Sequence, residues 1–334
     1  MKTLFSIILL FLGLNLFSVE IVVYKDTDCV DFLELLEEND VMFYQISAVD
    51  ADESNNLYFL AHKLCTILRI DGKSGKLINT IGSKGQGPAE LDIARTIRVI
   101  NGKVFVPDSG FGGVKIFSVN GSLIKEFRTH HTISWLDVNQ KEDIYVKESE
   151  SDATPIIALY NNDGKRLSTI VRFPFKGMPD RLEMSNQSHF TFRVDSEGNV
   201  IVLNDRARTL LKYNSNGRLL WNKRIENEIL DKYLHLEKKP HFDKLGNIRS
   251  TTIVRKYMDI DKNDNIVIGH AGGGMVVDKN GNTFKLIKFE SLLKHLQIFK
   301  VFGNDSKLIN LIVLGDYIDV IDYTKIKKGG NNDF

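Results

Sequence analysis

The chain has 334 residues, of which 43% are hydrophobic and 26% are charged, and its formal net charge is +1. These values are ordinary for a soluble globular protein of one large or two average domains. The near-neutral charge gives no indication of a nucleic acid or a polyacidic partner, so nucleic-acid binding is not predicted.

Residues 1–18 have the pattern of a secretory signal peptide. Lys2 supplies a positive charge, and Leu4–Phe17 is an almost uninterrupted run of Leu, Ile and Phe. The run is too short for a membrane span, which needs about 20 apolar residues, but it suits the apolar core of a signal peptide. We therefore expect export to the periplasm or the extracellular space. An uncleaved segment that keeps the chain on the membrane is the alternative.

Residues 19–42 are predicted to hold one strand and one short helix. Glu20–Lys25 has the composition of a strand, and the apolar positions of Asp31–Glu38 have helical spacing. Cys29 and Cys65 would pair in an oxidising compartment only if the fold brought them together. Two separate buried thiols are the favoured interpretation.

Six units of the same order fill residues 43–324. In each unit, short runs rich in Val, Ile, Leu and Phe alternate with clusters of Gly, Asn, Asp and Ser, a pattern typical of antiparallel strands joined by turns. The units span Phe43–Ile81, Ile97–Phe127, Ser134–Val171, Phe190–Ile225, Ile253–Ile287 and Gln297–Tyr323.

This repetition predicts an all-β fold, a six-bladed β-propeller of four-stranded antiparallel blades. The last unit has only three clear strands before the polar tail of residues 325–334, and an open ring would leave unpaired edges. We therefore predict that the N-terminal strand Ile21–Tyr24 closes the last blade beside Tyr317–Tyr323. A β-sandwich is the alternative, and the recurrence of one strand order argues against it.

Two insertions interrupt the regular spacing, at Pro174–Ser188 and Glu226–Ser250. The second contains a predicted helix, Glu226–Leu236, and thus gives a helical insertion between blades 4 and 5. Both connect the last strand of one blade to the first strand of the next. Such connections share a face with the loops between second and third strands, and this face is the predicted functional surface.

Several turns carry a family resemblance. Ile81–Leu91 resembles the G-x-x-G-x-G-P-G-E-F segment that joins blades in six-bladed propellers of the NHL-repeat-like and TolB-like group, with Ala89 and Leu91 as departures. The turns at Asp195–Val200, Tyr160–Gly164 and Tyr213–Gly217 are similar as well. The resemblance covers roughly residues 43–323 and implies the fold. Members of the group include carbohydrate- and protein-binding modules, lyases and calcium-dependent lactonases, so it leaves the function open.

The predicted surface collects side chains suited to an anionic or sugar-like ligand, because Arg and His donate hydrogen bonds and Trp offers an aromatic surface. The ligand-binding candidates are His62, Asp108, His131, Trp135, Lys147, Asn204, Arg206, Arg255 and His270. Ordinary solvated loop charges and salt bridges between blades are the alternative. No catalytic residue is assigned.

No cofactor or metal site is predicted. Asp259-x-Asp261-x-Asn263-x-Asn265 imitates the start of a calcium loop, but Asp264 replaces the Gly of the tight turn and His270 the bidentate Glu. A hairpin turn is the favoured interpretation.

Two function classes follow. The first is an exported, non-catalytic binding module for a protein or a small, sugar-like ligand. The second is a metal-dependent hydrolase, a lactonase or a lyase with calcium or zinc near the central channel. Membrane contact is expected only through the N-terminal segment, if it is retained.

Overall fold

The computed structural model describes residues 20–24, 30–31, 46–150, 154–173, 190–204, 209–225, 241–242, 248–250, 257–270, 273–289, 298–302, 307–312 and 317–322. Within these ranges, every regular element is a β-strand and no helix occurs. The strands form five four-stranded sheets, one five-stranded sheet and one two-stranded sheet. The protein is thus an all-β propeller of antiparallel, four-stranded blades.

The N-terminal strands are β1 (Glu20–Tyr24) and β2 (Val30–Asp31). The next two sheets are antiparallel meanders in chain order. The first contains β3 (Ile46–Ala51), β4 (Asn56–Ala61), β5 (Thr66–Asp71) and β6 (Leu77–Ile81). The second contains β7 (Arg98–Ile100), β8 (Lys103–Asp108), β9 (Gly113–Ser118) and β10 (Leu123–Arg128).

Two further sheets repeat this meander. The third contains β11 (Thr132–Val138), β12 (Ile144–Ser149), β13 (Pro155–Tyr160) and β14 (Arg166–Arg172). The fourth contains β15 (Phe190–Val194), β16 (Val200–Asn204), β17 (Thr209–Tyr213) and β18 (Leu219–Arg224). The strands predicted from apolar runs and turns in these units are confirmed.

The predicted helical insertion is not shown. Glu226–Leu236 lies outside the described residues, and the described part of that insertion is a two-stranded sheet of β19 (His241–Phe242) and β20 (Ile248–Ser250). The predicted helix Asp31–Glu38 also lies outside them, except that Asp31 belongs to strand β2.

The last two sheets receive strands from the N-terminal region. One contains β21 (Tyr257–Ile260), β22 (Ile266–His270), β23 (Gly273–Val277) and β24 (Thr283–Phe289), and β1 pairs in parallel with β24 as its fifth strand. The other contains β25 (Ile298–Phe302), β26 (Lys307–Ile312) and β27 (Tyr317–Asp322), and β2 pairs with β27 as its fourth strand.

The predicted closure was therefore wrong in its segment. Ile21–Tyr24 does not lie beside Tyr317–Tyr323; Val30–Asp31 does. A sheet edge accepts an extended segment through backbone groups, so the apolar content of Ile21–Tyr24 could not decide between the edges of two sheets. The prediction of six four-stranded blades is met only in part, because five sheets have four strands and that of β21–β24 has five.

A repeated side-chain bond fixes the hairpin turns. In the turn after β15, Asp195 Oδ1 accepts the backbone N–H of Asn199 at 2.7 Å, and Asp195 Oδ2 accepts the Asn199 side-chain amide at 2.9 Å. Gly198 has a φ of 82°, a conformation that glycine adopts without strain. The same Asp–Asn pair, four residues apart, occurs after β21, with Asp261 and Asn265. This bond explains the recurring Asp-x-x-Gly-Asn pattern.

The hydrophobic core lies between the sheets. One cluster joins the first two sheets, with Tyr58, Ile67 and Val104 fully buried. Further clusters fill the spaces between the second and third, third and fourth, and fourth and fifth sheets. Both faces of the second, third and fourth sheets are thus covered, which explains the nearly continuous apolar runs of their middle strands.

The first strand of each large sheet lies innermost. These inner strands contact each other in the order β3, β7, β11, β15, β21, β25, and β25 contacts β3. The hairpin turns lie at one end of the strands. The other end, here called the loop face, carries residues 62–65, 82–97, 109–112 and 129–131, together with residues 150 and 154. A side chain near the start of an inner strand therefore lies towards the loop face.

Candidate functional site

The inner strands carry charged residues of alternating sign near their turn ends. They are Asp50 on β3, Arg98 on β7, Asp137 on β11, Arg193 on β15 and Asp259 on β21, here called the ion ring. The carboxylates are almost fully buried, with Asp137 completely so. On β25, Lys300 occupies the corresponding register position and continues the alternation along the sequence.

The ring members pair across neighbouring sheets. Arg98 Nη1 lies 3.4 Å from Asp50 Oδ2, and Arg98 Nε lies 2.8 Å from Asp137 Oδ1. Arg193 Nε lies 3.0 Å from Asp259 Oδ1. Burial alone would lower the pKa of the Arg98 guanidinium, but the Asp137 and Asp50 carboxylates outweigh it and the pKa is raised. Each guanidinium of the ring is therefore compensated by at least one buried carboxylate.

The ring carboxylates also hold the backbone of the next blade. Asp50 Oδ2 accepts the backbone N–H of Val99 at 2.7 Å, and Asp137 Oδ2 accepts that of Val194 at 2.8 Å. Each of these two bonds runs from one inner strand to the next. The ring therefore holds neighbouring inner strands in place and forms the floor beneath the loop face.

Two polar groups lie one step above this floor. Trp135 is two residues before Asp137 on β11, and Thr191 is two residues before Arg193 on β15, so each lies on the same side of its strand as the ring residue. Trp135 Nε1 and Thr191 Oγ1 are buried and have no hydrogen-bond partner within the part of the chain that the structure describes. The Arg193 guanidinium carbon lies 5.3 Å from the centre of the Trp135 ring. Buried polar groups usually have partners, so these two atoms are exceptions among the described residues.

The predicted residues His62 and Asp108 meet at one connection of the loop face. Asp108 is fully buried and accepts the backbone N–H groups of Asp92 and Ile93, each at 2.9 Å. His62 Nδ1 lies 3.1 Å from the Ala94 carbonyl oxygen. Both side chains thus hold the connection between the first and second sheets. Ligand binding by either stays a prediction.

A second group of predicted residues meets around Phe190. Lys147, the cross-strand partner of Trp135, donates to the Phe190 carbonyl at 2.9 Å, and its Nζ lies 3.9 Å from the centre of the Phe190 ring. Asn204 pairs with Phe190 across β15 and β16 and is buried. Lys147 therefore joins the third sheet to Phe190 of the fourth, and Asn204 lies beside Phe190 within the fourth sheet.

The remaining predicted residues either lie apart from these groups or fall outside the described residues. His131 precedes β11, and its carbonyl accepts the Thr129 hydroxyl at 2.8 Å. His270 ends β22, where only its backbone is described. Arg206 and Arg255 lie outside the described residues.

Glu148 is a buried carboxyl between the second and third sheets. Tyr160 donates its hydroxyl hydrogen to Glu148 Oε1, and the His130 backbone N–H donates to the Tyr160 oxygen at 3.1 Å. Arg166 Nε lies 3.9 Å from Glu148 Oε2. Burial raises the pKa of the Glu148 carboxyl, although the Tyr160 bond and the Arg166 charge offset part of the effect.

This raised pKa predicts a pH dependence of stability. Between the ordinary pKa of a glutamate and the higher folded value, the folded state binds more protons than the unfolded state. The free energy of unfolding contributed by Glu148 therefore falls as the pH rises through that window. The variant Glu148→Gln should lose this slope in denaturant unfolding measured from pH 4 to 8, whereas the control Glu150→Gln should keep it. Parallel wild-type and Glu148→Gln curves would contradict the prediction.

The calcium-like stretch is a hairpin turn, as favoured from the sequence. Asp261 Oδ1 accepts the backbone N–H groups of Asn263 and Asn265, each at 2.8 Å, while Asp259 belongs to the ion ring. Among the described residues, no three His, Cys, Asp or Glu side chains are grouped to hold a metal ion. Cys65 is a free, buried thiol that donates to the Asp92 carbonyl at 2.9 Å; Cys29 lies outside the described residues. In the described ranges no helix is long and apolar enough to cross a bilayer.

The sequence matches no protein-family model and no curated protein. Solved structures do match. A catalytically inactive virginiamycin B lyase of Staphylococcus aureus with quinupristin has 11% identity and a TM-score of 0.54, over 90% of this chain and 88% of the lyase. The calcium-binding protein regucalcin of Agrobacterium tumefaciens has 10% identity and a TM-score of 0.55, over 90% and 95%.

A third similar structure is a protein of Bacteroides fragilis whose name proposes export. It has 13% identity and a TM-score of 0.55, over 87% of this chain and 88% of that protein. At such low identities these likenesses show the β-propeller fold alone, because one fold hosts many functions. The NHL-repeat-like or TolB-like assignment stays a prediction.

Proposed function

We propose that this protein is an exported β-propeller that binds a small polar ligand in the channel above the ion ring. The observation that carries the proposal is the pair of buried, unpartnered groups, Trp135 Nε1 and Thr191 Oγ1. An unsatisfied buried donor costs about 1–3 kcal/mol. A ligand that supplies the missing partners removes this cost, and the floor beneath holds both inner strands in place.

Two further features support the proposal. The apolar run Leu4–Phe17 favours export, in keeping with the name of the similar Bacteroides fragilis protein. The cyclic order of contacts between inner strands supports a ring of six blades, in which the five-stranded sheet is one blade and β2 completes another. Such a ring surrounds a central channel.

The enzyme hypothesis remains the second candidate, since virginiamycin B lyase shares the fold. The fold alone does not favour it. Binding without turnover of the bound molecule would separate the first candidate from the second.

A ligand screen on variants of the two groups tests the proposal. Stabilisation of the wild type would be measured by thermal shift against panels of neutral glycans, acidic glycans and short peptides. The hits would be repeated with Trp135→Phe, which removes the indole N–H and keeps an aromatic ring. We expect about tenfold weaker binding by this variant, because one hydrogen bond to a buried donor is lost. Trp221→Phe is the matched control, since Trp221 Nε1 already donates to the Lys279 carbonyl. Hits whose affinity is the same in all three proteins would contradict the site.

A further inference from the structure

We infer that the ligand of this channel is a neutral, polyhydroxylated molecule, of which a carbohydrate is the biological example. The inference rests on the proposed function and names the chemical class of its ligand. Trp135 Nε1, Thr191 Oγ1 and the net negative charge of the ion ring carry it.

The two unpartnered groups define the hydrogen bonds that the ligand must make. An indole N–H only donates, so the ligand needs an acceptor oxygen beside Trp135. The Thr191 hydroxyl both donates and accepts, so its partner is satisfied by another hydroxyl. β11 and β15 are neighbouring inner strands, which places both groups on one side of the channel. A molecule with adjacent hydroxyl groups meets both requirements.

The charges of the floor argue against an anionic ligand. Both guanidinium groups in the ion ring already face carboxylates, Arg98 with Asp50 and Asp137, and Arg193 with Asp259. The described ring contains three buried carboxylates and two guanidinium groups, so its net charge is negative and an anion above it would be repelled overall. The described side chains of this floor do not attract a negative charge, and they do not repel a neutral ligand.

Arg193 also restricts how the ligand can sit. Its guanidinium covers one face of the Trp135 ring, and apolar side chains of the third and fourth sheets pack against Trp135. The ligand therefore meets the N–H edge of the indole, and recognition depends on hydrogen bonding more than on stacking.

Paired neutral and acidic oligosaccharides test the inference. The background variant Trp221→Phe leaves Trp135 as the single tryptophan, since the chain has two, so the fluorescence of Trp135 reports binding directly. A glycan array first selects neutral binders, and each would be titrated against its uronate analogue of equal length. We expect the neutral member of a pair to bind at least tenfold more tightly. Thr191→Val should weaken binding about tenfold, and Thr191→Ser, which retains the hydroxyl, should not.

The outcomes separate the inference from the proposed function. Tighter binding of the uronate, or of a peptide, that still depends on Trp135 and Thr191 would overturn the neutral class and leave the binding site standing. Neutral binding that is unaffected by Thr191→Val and Trp135→Phe would place the sugar elsewhere and overturn both. An array without any neutral binder would overturn the inference.

Discussion

Asp137→Ala should lower the free energy of unfolding by about 3–5 kcal/mol, the range measured when one partner of a buried ion pair is removed. Asp137 is completely buried and lies 2.8 Å from Arg98 Nε through Oδ1. The same carboxylate accepts the backbone N–H of Val194, on the next inner strand, at 2.8 Å. The substitution thus leaves Arg98 with only its longer contact to Asp50, at 3.4 Å, and leaves a backbone donor without its partner. Urea unfolding followed by circular dichroism measures the loss.

A matched control lies on the same sheet. Asp163 pairs with Lys125 at 2.7 Å, but its side chain is 81% exposed, and exposed pairs contribute little to stability. Asp163→Ala should leave the unfolding midpoint almost unchanged. Equal losses of unfolding free energy in the two variants would show that a carboxylate in the ring contributes no more to stability than an exposed one.

Lys115→Met should lower the free energy of unfolding by about 2–3 kcal/mol, because the carbonyl groups of the half-buried residues Gly87 and Glu90 would lose their buried donor. Lys115 is almost completely buried, and its Nζ donates to the carbonyls of Gly87 and Glu90 at 2.7 and 2.6 Å. It thereby holds the connection between the first two sheets, where the Glu90 carboxylate also accepts the Gly87 N–H at 2.7 Å. In the variant this connection should open more readily.

Limited trypsin digestion detects that opening. Lys84 is exposed at the start of the connection, and cleavage after it should be faster in Lys115→Met than in the wild type. Lys125→Met is the control, since the Lys125 side chain is 38% exposed and its charged partner Asp163 is on the surface. If Lys84 is cleaved equally fast in all three proteins, the buried lysine does not hold the connection.

The blades could be predicted from the sequence because each depends on local signals. Apolar runs of four to six residues specify strands, and the Asp195–Asn199 pair closes its turn with bonds between residues four apart. The sequence of Ile81–Leu91 predicts a connection between blades. The side chain that binds this connection, Lys115, lies on a distant strand, β9. Local patterns do not show which distant side chain completes a loop.

The candidate site was harder to predict because it depends on the arrangement of strands around the axis. A single charged residue within an apolar strand, such as Asp137 or Arg193, only interrupts the apolar run, and the strand's own sequence does not reveal its partner. Comparison of equivalent positions in all units reveals the alternating signs, and this signal was available. The histidines were expected on one face, yet the His62 ring contacts the Ala94 carbonyl, while His131, on another connection, accepts the Thr129 hydroxyl through its backbone carbonyl. The composition of a loop can predict on which face its side chains lie, but it does not predict which of them come together in one site.

The central claim is that the ion ring holds the inner strands together. The most direct test is a double-mutant cycle with Arg98→Met and Asp137→Asn. The two side chains share one buried contact, so the combined loss of unfolding free energy should be smaller than the sum of the single losses by about 1–3 kcal/mol. Losses that add within about 0.5 kcal/mol would show that the pair is not coupled, and the ring would then be no floor for a binding site.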